Sequence, residues 1–230
     1  MKSIKITIIA VISSVLMALP SAAIEVRVGA SAGFMMIESA GSETLKDSSV
    51  VVNHTEQANA IVPSLFAELS LDNGLGIGMD HISGSADLAG STQKDQKSNC
   101  AGIVASCAAN DTGLNTANAE VDGISTVYLV KTFQNGLVVK VGTSSADVKT
   151  KEVLGTGTAY KDVSVDGTHY GIGFERTNDN GVFFRTMVEH TDFDELSLTG
   201  SQVGGTAGSF NKIKANVDIT AAKLSIGKKF

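Results

Sequence analysis

Three Asn-Gly dipeptides constrain this chain more than any other feature: "LDNGLG" at Leu71–Gly76, "FQNGLV" at Phe133–Val138 and "NDNGVF" at Asn178–Phe183. Each stands between runs in which apolar and polar residues alternate. Asn and Gly tolerate positive φ at little cost, so Asn-Gly flanked by period-two patterning specifies a tight β-hairpin turn. Long polar segments lie between these turns, and short and long connections alternate throughout.

The patterning predicts strands at about Ile24–Glu38, Ile61–Leu71, Leu75–Leu88, Glu120–Phe133, Leu137–Val148, Gly167–Thr177, Val182–Phe193 and Ile213–Phe230. The long loops are then about Ser39–Ala60, Ala89–Ala119, a stretch through about Val165, and the glycine-rich "TGSQVGGTAGSF". Eight strands with three tight turns on one side and four long loops on the other describe an all-β, eight-stranded antiparallel up-and-down transmembrane β-barrel, with short periplasmic turns and long extracellular loops. The strands are long enough, since a tilted spanning strand needs about 9–11 residues. Barrels of this length are routinely one domain.

The first residues, "MKSIKITIIAVISSVLMALPSAA", join Lys2 and Lys5 to a fourteen-residue apolar run, Ile6–Leu19, and small residues at Ser21 and Ala23. This reads as a signal peptide over residues 1–23, cleaved after Ala23, leaving the barrel domain at 24–230. The run falls short of the roughly 20 residues of a spanning helix, and no later stretch approaches that length. Removing two lysines takes the formal charge from −6 to −8. Without a basic patch to neutralise phosphates, nucleic acid is not an expected partner.

The two faces of each strand differ. Leu65, Ala67, Leu69 and Leu71 oppose Ser64, Phe66, Glu68 and Ser70, while Tyr170, Ile172 and Phe174 oppose His169, Gly171, Gly173 and Glu175. Glycine shares a face with the formal charges, and glycine makes room for long side chains in a narrow lumen. That places the apolar face in lipid and the charges inside, the reverse of a soluble lipocalin-like barrel. The expected lumen network is Arg27, Glu68, Asp80, Lys131, Lys140, Glu175, Arg185, Glu189 and Lys223, five basic and four acidic groups that can pair. In the strand around Tyr128 the parity is ambiguous; the charge of Lys131 turns it inward and Tyr128 and Val130 outward. Phe133, Tyr170, Phe174, Phe184 and Phe230 supply a thin aromatic girdle.

Cys100 and Cys107, six apart in "CAGIVASC", read as a disulfide stapling one loop of an exported protein. His54 falls in a loop, and His169 shares the inward face with Glu175. No metal-ligand cluster or cofactor fingerprint appears in the sequence, so neither a metal nor a cofactor is expected. In "DHISGS", His81 and Ser83 have the spacing of a histidine that takes a serine proton, and the pair resembles that of small barrels that deacylate lipid A. Glu189 or His190 are candidate neighbours for it.

The last stretch, "DITAAKLSIGKKF", alternates Ala222, Leu224 and Ile226 and closes on Phe230. Here the sequence resembles the OmpA-like, opacity-type family of small outer-membrane β-barrels, whose final strand ends in phenylalanine. Lys228 departs from the apolar residue usual there. The resemblance implies residence in the cell outer membrane of a Gram-negative bacterium, contact with lipid and lipopolysaccharide, and delivery to the barrel-assembly machinery through Phe230. The expected function is a non-enzymatic structural barrel with a packed lumen, whose surface loops meet host or cell-surface ligands. The alternatives are a His-x-Ser lipid A hydrolase and a narrow gated porin.

Overall fold

The computed structural model describes residues 24–44, 51–87, 92–95, 114–153, 160–201 and 212–230. The expected leader (1–23) and both cysteines lie outside the described residues. Each Asn-Gly signal forms a turn, but glycine alone carries the demanding backbone. The amides of Gly74, Gly136 and Gly181 donate to the carbonyls of Leu71, Phe133 and Asn178, three residues earlier, at 2.7, 2.9 and 2.9 Å. The glycine is therefore the fourth residue of the turn, at φ +78°, +89° and +76°. This is a type I turn followed by a left-handed residue, not a two-residue Asn-Gly loop. Asparagine acts through its side chain: Asn73 Oδ1 and Asn135 Oδ1 accept from the amides of Leu75 and Leu137 at 2.9 and 3.0 Å.

The strands are β1 (Ile24–Thr44), β2 (Val51–Leu71), β3 (Leu75–Asp87), β4 (Thr92–Asp95), β5 (Leu114–Thr132), β6 (Leu137–Val153), β7 (Val163–Thr177), β8 (Val182–Phe193), β9 (Leu196–Thr199) and β10 (Lys212–Lys229). Antiparallel pairing runs β1-β2-β3-β5-β6-β7-β8-β10, and β10 returns to β1, closing an eight-stranded barrel. The short strands prolong the wall. β4 pairs β5 beyond the end of β3, and β9 pairs β10 beyond the end of β8. At the closing seam the Phe230 amide donates to the Val26 carbonyl at 2.9 Å, and no edge is left open there.

The strands run further than polarity suggested. β1 and β2 stay paired to Thr44–Val51, so most of Ser39–Ala60 is hairpin rather than loop. β5 begins at Leu114, β6 reaches Val153 and β7 starts at Val163, shortening two more of the expected loops. The reason is a change of environment along the wall. On β1 the outward residues Ile24, Val26, Val28, Ala30, Ala32, Phe34 and Met36 are all exposed, and Glu38 follows. At that level the interior also switches. Toward the turns it is polar and charged, whereas toward the loops it is apolar, with Met35, Ile37, Val62, Ile82, Val148 and Val217 in one buried cluster.

A strand that turns polar outside and apolar inside is still an alternating strand, now in water. Glu38, Asp218 and Asp192 mark the boundary, for they face one another in direct cross-strand register on three neighbouring strands. Three adjacent carboxylates are intolerable in hydrocarbon and mildly repulsive in water. The expectation of lipid outside and charge inside thus holds for the turn-side part of the barrel, and the loop-side part is built like a soluble one.

Replacing Gly136 tests the turn assignment. A Cβ there would approach the Glu175 carbonyl to 2.6 Å at a φ of +89°. Gly136→Ala is expected to lower unfolding stability by about 1–3 kcal/mol, read as a shift in the urea midpoint of the lipid-reconstituted barrel.

Candidate functional site

The charged part of the lumen is a continuous network. Arg185 lies at its centre, with Nη1 and Nη2 donating to the two oxygens of Glu68 at 2.6 and 2.8 Å. Its Nε and Nη2 also donate to Glu175 Oε2 at 2.9 and 2.7 Å. Arg27 takes the other side of Glu175, at 2.7 Å to Oε1, and reaches Glu25 through Nε at 2.6 Å. Phe66 and Phe183 bracket the guanidiniums; Arg185 Cζ stands 5.4 and 5.3 Å from their ring centroids. These bidentate pairs satisfy both carboxylates, which is the condition for ions to be tolerable away from water.

Tyr128 links this layer to the next. Its hydroxyl donates to Glu68 Oε1 at 2.9 Å, and Lys140 Nζ lies 4.3 Å from its ring centroid. Lys140 donates to Glu189 Oε1 at 2.9 Å, Lys223 pairs with Glu189 Oε2 at 2.9 Å, and Lys223 also reaches Asp80 Oδ1 at 3.2 Å. Ser64 donates to the other Asp80 oxygen at 3.2 Å. Four cations, Arg27, Lys140, Arg185 and Lys223, thus meet four anions, Glu68, Asp80, Glu175 and Glu189, all buried. Above them Glu189, Lys223 and His169 line a residual cavity of about 20 Å³, space for a water molecule. Beyond that cavity the apolar cluster fills the barrel.

Small residues across the strand ladder make the long side chains fit. Tyr128 stands between Gly78 and Gly142, where an added Cβ would come within 2.7 Å of it. Lys140 and Glu189 both face Gly171, and Lys223 faces Gly33. An eight-stranded interior is only wide enough for side chains to fill it, so each large one needs a small partner.

Eight of the nine charges expected in the lumen are brought together; Lys131 is not. Tyr128 and Val130 point inward, each 1% exposed, and Lys131 lies on the outward face with Leu129. The parity follows the glycines at 78 and 142 rather than the lysine's charge. Lys131, at the end of its strand, meets water without entering the lumen: Nζ donates to the Asn73 carbonyl and lies 5.7 Å from the Phe133 ring centroid. Tyr128 is thus a member of the network that charge alone misses, and its glycine partners are the signal that finds it.

His81 and Ser83 are both exposed on the outer wall. The partner of His81 is Ser125 on β5, with Nδ1 and Oγ 3.0 Å apart. Glu189 faces the lumen and His190 bonds Thr220 on β10, so neither neighbours His81, because β3 pairs with β2 and β5. His169 is buried and hydrogen-bonded to Thr191 at 2.9 Å. His81, His169 and His190 make the same cross-strand bond to a hydroxyl, which is a pairing habit of the sheet. Among the described residues no group of three or more His, Cys, Asp or Glu is placed to hold a metal.

No protein-family model matches the chain, and no curated protein is similar to it. Solved structures are. Outer membrane protein OprG from Pseudomonas aeruginosa is 13% identical over 91% of this chain and 97% of that one, with a TM-score of 0.55. Ail, the attachment invasion locus protein of Yersinia pestis, is 11% identical over 89% and 99%, with a TM-score of 0.41. AlkL, determined in DMPC lipid bilayers, is 15% identical over 88% and 90%, with a TM-score of 0.42. The class that fold and surface define is the eight-stranded transmembrane β-barrel, the fold shared with outer membrane protein OprG. No helix among the described residues is long and apolar enough to cross a membrane, and the strands form the wall.

Removing the central guanidinium leaves Glu68 and Glu175 buried without their main partner. Arg185→Ala is expected to cost about 3–5 kcal/mol in unfolding stability. Tyr128→Phe, which deletes one hydrogen bond to a carboxylate, is expected to cost about 1.5–3 kcal/mol. Urea titration of both variants in the same lipid, with tryptic protection as the second readout, checks the order; equal costs would refute the central place of Arg185.

Proposed function

We propose that this chain is a structural protein of the outer membrane, exported by its leader, with a sealed lumen and extracellular strand extensions that present loops for surface interaction. The observation that carries the reading is the coincidence of two polarity switches at one level of the wall. Outside, an apolar belt gives way to carboxylates, and inside, a neutral set of ion pairs gives way to an apolar core. A barrel in water would have no use for the lower arrangement, in which Leu65, Met79, Ile172, Phe184 and Leu224 are all more than half exposed.

The balanced ion pairs and the apolar plug above them support packing rather than conduction. The alternatives have less behind them. A gated porin would need charges that can separate without leaving uncompensated ions, and every carboxylate of the network has a cationic partner. A lipid A hydrolase would need an acid to orient His81, which has a serine instead. The OmpA-like, opacity-type character rests on the terminal phenylalanine, with Phe230 as the signal to the assembly machinery. The adhesive role and the Cys100–Cys107 disulfide are carried over from the sequence, which puts both in the expected loops. Long loops on a rigid frame are where barrels carry recognition, and lipopolysaccharide and host or cell-surface molecules are the partners in reach.

Refolding of the leaderless chain into lipid tests the core of this. The expected result is heat-modifiable gel migration and protease resistance after insertion, with no steady single-channel current in a planar bilayer, in the native chain and in Arg185→Ala alike. A monomer that keeps its β content in detergent-free buffer would overturn the membrane assignment. A steady current altered by Arg185→Ala would overturn the sealed lumen.

A further inference from the structure

We infer that the turn-side rim of the barrel is a cationic and aromatic collar that binds the phosphodiester headgroups of anionic glycerophospholipids in the periplasmic leaflet. The inference rests on the membrane reading above and adds a defined set of residues and a ligand chemistry. Three outward-facing basic residues stand at this rim, one for each tight turn. Lys131 donates to the carbonyl of Asn73 in the first turn, and Lys228 to that of Asn180 in the third. The Arg176 guanidinium carbon comes within 4.0 Å of where a Cβ on Gly136 would lie, in the second.

Each basic residue is two positions along the chain from an exposed phenylalanine: Phe133 just past the end of β5, Phe174 on β7 and Phe230 just past the end of β10, exposed by 44, 58 and 73%. Lys131 and Lys228 stand 5.7 and 5.9 Å from their ring centroids, and Arg176 faces Phe184 on the neighbouring strand. Among the described residues none of the three has a carboxylate within ion-pair distance, and Arg176 has no hydrogen-bond partner at all. They differ in this from Lys149, Lys151 and Lys214 toward the loops, each tied to an acid.

The occupant follows from what surrounds the cations. Above each head the wall continues as apolar side chains, Leu129 over Lys131, Ile172 over Arg176 and Ile226 over Lys228, each half exposed or more. A ligand that fits must therefore carry a negative charge at the rim and an apolar chain up the belt, which a free phosphate lacks. Lysine and arginine stems reach from an apolar surface to an interface, and aromatic rings settle at headgroup depth. The opposite margin of the belt presents Glu38, Asp192 and Asp218, so charge selects the turn-side leaflet for an anionic lipid.

The test is competitive lipid retention. The whole barrel is placed in nanodiscs of equal parts phosphatidylglycerol and phosphatidylcholine, released in a mass spectrometer, and its retained lipids are counted. A basic contact near an anionic surface corresponds to about a fivefold preference per site, so phosphatidylglycerol is expected to dominate. The triple variant Lys131→Gln, Arg176→Gln, Lys228→Gln is expected to fall to near parity, and Arg176→Gln, which breaks no bond within the barrel, to lower the preference by itself. Parity in the native chain, or an undiminished preference in Arg176→Gln and the triple variant, would overturn the collar while leaving an inserted, heat-modifiable barrel intact. Failure of the native chain to insert would overturn both readings.

Discussion

Everything in this barrel depends on how ions are kept inside a wall that has lipid on its other side. An ionised carboxylate or guanidinium removed from water is costly by several kcal/mol unless its partners are fixed in place. Here Arg185 is fixed by two carboxylates, Glu68 by an arginine and a tyrosine, and Glu189 by two lysines. The set is neutral, and it is assembled from seven strands, β1, β2, β3, β6, β7, β8 and β10 supplying members of one connected cluster with β5 adding Tyr128. Such a cluster forms only when the barrel has closed, so closure and charge neutralisation are one event.

The glycines are the other half of that requirement. A lumen of eight strands has no spare width, and Tyr128, Lys140, Glu189 and Lys223 each stand across the ladder from a glycine. Phe66 and Phe183 similarly face Gly29 and Gly227, and their rings close the lumen around the two arginines. Packing density, rather than charge alone, therefore sets which face of a strand turns inward. That explains why Lys131 points out and Tyr128 points in.

The two ends of the belt serve different surroundings. Toward the turns, outward basic and aromatic side chains meet the leaflet that the closing hairpins approach. Toward the loops, carboxylates in cross-strand register meet water, and the strands go on as a water-facing barrel with an apolar core. This extension is a continuous paired wall, stiffened by the same cross-strand ladder as the belt.

Much was legible in the sequence because its physics is local. Asn-Gly specifies a turn within four residues, alternation specifies a strand and its faces within about six, and the charges on the glycine-bearing face mark the lumen. These gave eight strands, their order and eight of the nine network charges. The tertiary structure decided what depends on neighbours in space. The strands from Ser39 to Thr44 and from Val51 to Ala60 look like loop until each is paired with the other. The parity around Tyr128 is set by Gly78 and Gly142, residues far away in the chain, and the partner of His81 is Ser125 across a ladder rather than Ser83 beside it. Period-two patterning says that the two faces of a strand differ; only the closed wall says which medium each face meets.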